Sequence, residues 1–498
     1  MGNIRKQSLY SSAVIITGFV VGAINMWFFT SNNYFTAEEF GLTRAFFDIA
    51  QNFMAFASLG LPAVMYKFFP YYQDNLEKKD NDLLAIAMIG GTIGFILLMV
   101  AGILFEPLVI RKFQYRSALL VEYYYWIFPF TYFYLFYFLL ESYSWLHRKT
   151  VLPNFLKEAG VRLLTTVIIL LKIAGIIDFD TFIKLFSFTY GGIFITIIIY
   201  LIREDHFHLN FSISRVTKKF YRKMLTLFSL TYLSQIINTL AVTFDSILLA
   251  SMNGLAVTAA YNLATYAINL AMIPQRALAP ITISHLSQAW KDKNIPEISR
   301  IYSRSSINLL AGGIFIVVNI WLGMENAMQF LGMNEEYFSI LAILFVLGLS
   351  KLVELGTGVN NYIIGTSLFW RFEFYSGIIL LALTIPLNYF LIRAYGLNGA
   401  VISELIRVSV YNMIRMYFLW YKFKLQPFNS KTLVLLLTSA GCYLLPLLLF
   451  RNIDGVAGLL LKCGSFSILF CVTVYFTKVS PDVDQLIAVG KKRLGIGK

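Results

Sequence analysis

The chain has 498 residues, of which 58% are hydrophobic and only 14% charged, with a mean hydropathy of +0.68. Soluble domains run nearer a quarter charged, so a soluble fold is excluded, and the net charge of +14 is no nucleic-acid signal here. Apolar runs of about 20 residues recur along the length, the pattern of an all-α polytopic membrane protein.

Fourteen spans are expected, at 8–30, 43–66, 83–105, 119–144, 159–171, 182–202, 225–251, 258–287, 305–323, 338–364, 373–392, 398–421, 432–450 and 456–477. The stretch after Arg5 and Lys6 superficially resembles a signal peptide. Its apolar part is too long and lacks a small-residue cleavage site, so it reads as a retained first span. The fifth span is short as drawn and is expected to extend in both directions. Of the 41 Lys and Arg, 27 fall on the side of the amino terminus, 6 on the other and 8 within spans. That asymmetry puts both termini in the cytoplasm.

The basic loop from Arg203 to Met224 divides the chain. We expect an N-lobe over 1–205, a cytoplasmic linker over 206–224, a C-lobe over 225–424, and two extra helices with a cytoplasmic tail over 425–498. Each half begins on the same side with an even number of spans, a parallel repeat. The expectation is two pseudo-symmetric six-helix lobes around a central cavity. Gly18 with Gly22, and Gly90 with Gly94, carry the small-residue spacing that permits close helix approach.

Chemistry is expected where polar groups interrupt the spans. The stretch 256–286 carries Pro274, Arg276 and Pro280 in its second half. A buried charge is costly in hydrocarbon and faces a wet interior or a partner, while prolines break the backbone ladder. Pro62 occupies a corresponding place late in the second span. Arg44 and Asp48, Lys351 and Glu354, and Glu404 and Arg407 stand three or four apart, each on one helical face. Glu141, Arg162, Asp245 and Glu373 add isolated charges. Two readings stand for each: packing pairs and snorkelling singles, or the lining of a polar cavity. Arg276, Lys351 and Arg407 together would bias that cavity toward phosphate.

No phosphate-cradling glycine loop occurs, the tail at 490–493 included, and no zinc-protease motif occurs. No catalytic constellation, metal site or cofactor is expected. His147, His206 and His208 read as solvated loop residues. Cys442, Cys463 and Cys471 read as small buried hydrophobes. The aromatic run 123–137 reads mostly as an interfacial belt, with Thr131, Tyr134 and Tyr137 free to share a cavity face.

Four segments carry a family likeness: Glu38 to Leu42 with Phe56 to Val64, Phe244 to Ala250 with Ala260 to Ala264, Pro274 to Leu286, and Tyr395 to Ser403. With the span count, they resemble the polysaccharide transporters, the O-antigen flippase-like group, of the multidrug/oligosaccharidyl-lipid/polysaccharide exporter superfamily. The resemblance implies a flippase for undecaprenyl-pyrophosphate-linked oligosaccharide in a bacterial inner membrane, working by alternating access. Its partners would be that lipid-linked glycan, membrane lipid and a coupling cation, H+ or Na+, left open; nucleic acid is not expected. A cation-coupled drug exporter of the same superfamily is the alternative, with a lipid II flippase as a variant. A membrane-embedded polymerase or acyltransferase would need large outer loops or a mid-span histidine, and neither is present.

Overall fold

A computed structural model describes residues 17–147 and 149–479. The expectations placed on Arg5, Lys6 and the tail 490–493 lie outside the described residues, as does the side chain of Glu373. The chain divides into two compact units, Met1–Ala259 and Ala260–Lys498.

The first unit opens with α1 (Thr17–Thr30), α2 (Ala37–Ala57) and α3 (Leu61–Asn75). Thr36 and Glu39 form a reciprocal cap that fixes the start of α2. Between α2 and α3 the backbone enters the left-handed region at Leu59 and Gly60, and the helices meet at 47°. Pro62 therefore lies in the first turn of α3, where its missing N–H costs nothing, and the second span is a broken pair. Next come α4 (Leu83–Phe113), the short α5 (Ala118–Glu122) and α6 (Ile127–Leu146). One face of α4 exposes Ile93, Leu97, Val100 and Leu104. Its other face buries Gly91, Gly94 and Gly102 against neighbouring helices.

The fifth span does extend both ways. It runs as α7 (Val151–Phe155), a π-turn (Leu156–Gly160) and α8 (Val161–Ile173). Next are α9 (Phe179–Ser187), α10 (Thr189–Arg203) and α11 (Arg215–Met252), the last absorbing half of the expected linker into a helix. An aromatic knot of Phe29, Phe35, Phe40 and Phe182 fills the core near α1 and α9, with ring centroids 4.6 to 6.1 Å apart. The close approaches expected at Gly18, Gly90 and Gly94 are present: Gly18 abuts the Glu158 carbonyl, Gly90 meets Leu61, and Gly94 abuts the Ala57 carbonyl.

The chain passes into the second unit along α12 (Leu255–Ile268). A 3₁₀ turn (Asn269–Met272) leads into α13 (Ile273–Lys291), with Pro274 in its first turn and Pro280 inside it. After these come α14 (Ile295–Phe330), α15 (Ile340–Gly356) and α16 (Asn360–Thr366), the last two separated by Gly358 at a positive φ. The tenth span is thus two pieces. Helix α17 (Trp370–Phe423) is interrupted at Gly396, φ 54° and ψ −127°. In one continuous helix residues 391 and 399 would stand about 12 Å apart, yet a side chain on Gly399 would overlap the Leu391 carbonyl. The chain turns back there, separating the expected spans eleven and twelve. Helices α18 (Ser430–Leu449) and α19 (Gly455–Thr477) close the unit and pack on α14 through Leu435, Phe466 and Phe470.

Among the described residues, eight helices are long and apolar enough to cross a membrane, or nine if α2 and α3 count as one bent span. Helix α6 is loaded with tyrosines that lower its hydropathy, while α7–α8 carries Lys157, Glu158, Arg162 and Lys172, too many charges for such a helix.

Candidate functional site

In the first unit the polar groups form seams between helices. Asp48 on α2 accepts a hydrogen bond from Ser246 on α11 at 2.5 Å. One turn on, the Asn52 amide donates to Thr243 at 2.7 Å and to the Asp48 carbonyl at 2.8 Å. Arg44 shares the Asp48 face and stands over the Phe40 ring at 5.1 Å, with an N–H directed at the Met26 sulfur. Asp245 is buried beside Ser246 in sequence. A second seam joins α1 to α8: Arg162 pairs with Glu158 at 3.4 Å and caps its carbonyl at 2.8 Å. The Asn25 amide donates to the Arg162 carbonyl and accepts from Thr166 at 2.6 Å. Buried Glu141 is not isolated; Lys157, on the π-turn, reaches it at 3.1 Å.

Three expectations need correction here. Thr131, Tyr134 and Tyr137 do share a face, but it is packed core: the Tyr137 hydroxyl donates to the Pro153 carbonyl, and Tyr134 lies 4.5 Å from Tyr190. Tyr123 and Tyr124 are buried as well, so the belt reading fails for most of this run because the rings fill space between helices. His147 and His206 are not simply solvated. Their rings stack at 4.0 Å, flanked by Phe69 and Tyr143. Burial and the neighbouring positive groups hold His147 down at about 4. His208 pairs with Asp205, and Lys78 pairs with the same carboxylate at 2.7 Å.

The second unit holds the densest charge network. On α15, Lys351 contacts Glu354 at 3.3 Å and reaches across to Glu404 on α17 at 3.5 Å. Glu404 is also paired with Arg407. Lys351, Glu404 and Arg407 are largely buried, and Glu354 is half-buried. Beside them Thr357 and Asn360 both donate to the Asn412 side chain, at 2.8 and 2.9 Å. Two cations face two carboxylates, so the four cancel. The positive bias expected from Lys351 and Arg407 is therefore absent from this cluster, and Arg276 carries that expectation alone.

Arg276 is exposed on α13, between Pro274 and Pro280. Pro280 has no N–H to offer the Arg276 carbonyl four residues back. Lys462 on α19 is buried against Asn326 at 3.2 Å. Of the cysteines only Cys442 is buried. Cys471 is exposed because α19 turns it away from its packing face. Sequence reasoning missed the neutral partners: Asn52, Thr243, Ser246, Asn25, Thr166 and Asn412. For all but Asn25 the signal was present as polar residues three or four positions from a charge, or from one another, inside apolar spans.

The model of the family described as "Polysaccharide biosynthesis protein" matches residues 4–286, more than half of the chain. The chain belongs to this family. No curated protein sequence matches it. Among solved structures, this family member is similar to "Lipid II flippase MurJ, inward closed conformation", at 16% identity and a TM-score of 0.73. That match covers 94% of this chain and 99% of that one. It is also similar to an inward-facing multidrug resistance MATE family transporter of the MOP superfamily, at 15% identity and a TM-score of 0.60, covering 84% and 94%. A third is a MOP superfamily transporter from Pyrococcus furiosus, described as having a binding pocket of reverse polarity. It stands at 14% identity and a TM-score of 0.56, covering 84% and 96%. The chain thus has the all-helical membrane fold of MOP superfamily transporters.

Proposed function

We propose that the protein is a flippase, not an enzyme, that carries an undecaprenyl-pyrophosphate-linked oligosaccharide across a bacterial inner membrane for surface polysaccharide synthesis. The observation that carries this reading is the pairing of a polysaccharide-biosynthesis family with the fold of a lipid-carrier flippase over 94% of the chain. Crossing a bilayer with a charged, hydrated headgroup requires replacing much of its water shell with protein dipoles and charges. Exposed Arg276, on a proline-bounded segment, is the cation we assign to the pyrophosphate, since guanidinium donors match phosphate oxygens. The Lys351, Glu354, Glu404 and Arg407 network offers alternating donors and acceptors suited to sugar hydroxyls. Alternating access with both termini cytoplasmic completes the reading, and H+ or Na+ is the coupling cation it allows.

The second reading is a cation-coupled drug exporter, favoured by the MATE-like fold and by the two carboxylates in a network with no net charge. One experiment separates the two. In a strain relying on this chain, Arg276→Ala removes surface glycan while the protein remains in the membrane, and drug susceptibility is unchanged. Normal glycan with Arg276→Ala takes that residue out of the mechanism. Normal glycan in a deletion strain, together with increased drug sensitivity, overturns the flippase itself.

A further inference from the structure

A groove of about 410 Å³ opens between α3 and α11 in the first unit. Lys67 and Lys223 line it together with Phe68, Tyr71, Phe220, Thr226 and Leu227, and no carboxylate does. The Phe220 ring lies 4.8 Å from Tyr71 and 5.7 Å from Phe68, so the three rings form one packed surface. The two helices are pinned together beside it: Tyr72 and Thr217 share a hydrogen bond of 2.6 Å, and Thr217 donates to Asp82 at 2.8 Å. The groove is therefore preformed. Its volume is that of small-molecule sites.

Its level along the helices is as informative as its lining. Helix α11 runs Arg215, Lys218, Lys219, Arg222 and Lys223 without an acid, then turns apolar from Met224, with Leu225 exposed. Apart from Lys67, helix α3 is apolar through Phe69, and it turns polar from Gln73. The groove thus sits where both helices pass from water to hydrocarbon, with the rings of Tyr71 and Phe220 on the watery side of Lys67 and Lys223 and with Thr226 and Leu227 on the apolar side. Soluble phosphate would satisfy the lysines and leave the rings unused; a neutral apolar ligand would do the reverse. A phosphodiester with acyl chains seats its phosphate on the lysines, sets its glycerol against the rings and runs its chains past Leu225 and Leu227, and a basic helix at this level is drawn to an anionic leaflet.

We propose that this groove holds the headgroup of an anionic phospholipid from the surrounding leaflet, a site separate from Arg276. The test is native mass spectrometry of the full chain in detergent, titrated with phosphatidylglycerol or phosphatidylcholine. Wild type retains phosphatidylglycerol in preference to phosphatidylcholine. In Lys67→Ala/Lys223→Ala that affinity falls about 30-fold, the contribution of two surface lysines at an anionic leaflet. Lys67→Arg/Lys223→Arg and the distant Lys291→Ala/Lys293→Ala bind as wild type does, and excess glycerol 1-phosphate displaces nothing. Equal affinity in the groove variant and wild type overturns the proposal. So does an equal loss in the distant variant, which would mark a bulk charge effect, or displacement by glycerol 1-phosphate, which would mark a soluble-phosphate site. Both lysines are exposed, so an unchanged melting temperature certifies that the groove variant is folded.

Discussion

Glu404 stands between Lys351 and Arg407, and it is the most buried of the four charges in its cluster. Removing one partner from a buried ion pair leaves an uncompensated charge and costs about 3–5 kcal/mol. Glu404→Gln takes a buried carboxylate from Lys351 and Arg407 together, leaving Lys351 with the half-buried Glu354, so the purified protein should melt well below wild type. Glu354→Gln touches the half-buried end of the chain of pairs, where Lys351 keeps Glu404, and should cost about 1 kcal/mol or less. Equal melting shifts for the two variants would mean that the network has no hierarchy. His147 makes a different kind of contact. Facing it are His206, itself lowered by burial, with Lys78, Lys149, Glu204 and Asp205 nearby. Its folded value of about 4 lies below the ordinary 6.5, so the undocked form binds the proton more tightly. The docking of this loop is therefore complete above about pH 6.5 and weakens as pH falls toward 4. Proteolysis of the 203–215 segment should accelerate through that window. His147→Phe, which keeps a ring against His206, should flatten the acceleration. A flat profile in wild type would rule the stack out as the pH-sensitive contact.

At the scale of elements, glycine decides how closely helices meet. A methyl on Gly94 would run into the Ala57 carbonyl, a backbone atom at the end of α2 that has no rotamer to change. Gly94→Ala should destabilise the protein by about 1–3 kcal/mol through overpacking. Gly441→Ala, on a helix face with nothing within 4 Å, should be neutral or gain up to about 1 kcal/mol of helix propensity. Thermal melting of the two variants in one detergent checks this; similar shifts would show that α2 and α4 are free to separate. The small-residue spacing at Gly90 and Gly94 made this contact legible beforehand. The break before Pro62 was legible only as a proline. What makes it a break is the left-handed pair Leu59 and Gly60, and leucine gives no warning of a positive φ.

Over the whole molecule, composition and run length were enough to establish an all-helical membrane fold. They also located most helices to within a few residues. The expected linker failed in part because charge density looks the same in a solvated loop and on the polar face of a helix such as the start of α11. The paired charges at three and four spacing were visible. Lys351 to Glu404 was not, because helical periodicity says nothing of which helix lies opposite. The tyrosine run was misread for a related reason: a ring suits an interface or a helix crevice equally well, and only packing chooses. The reversal at Gly396 has its own consequence for biogenesis. The turn joining the two arms is only a few residues long, with Arg393 and Tyr395 exposed on it, so the arms form one tight helical hairpin. A residue with a side chain at Gly396 would resist that positive φ, so Gly396→Val should lower the amount of folded protein recovered from the membrane.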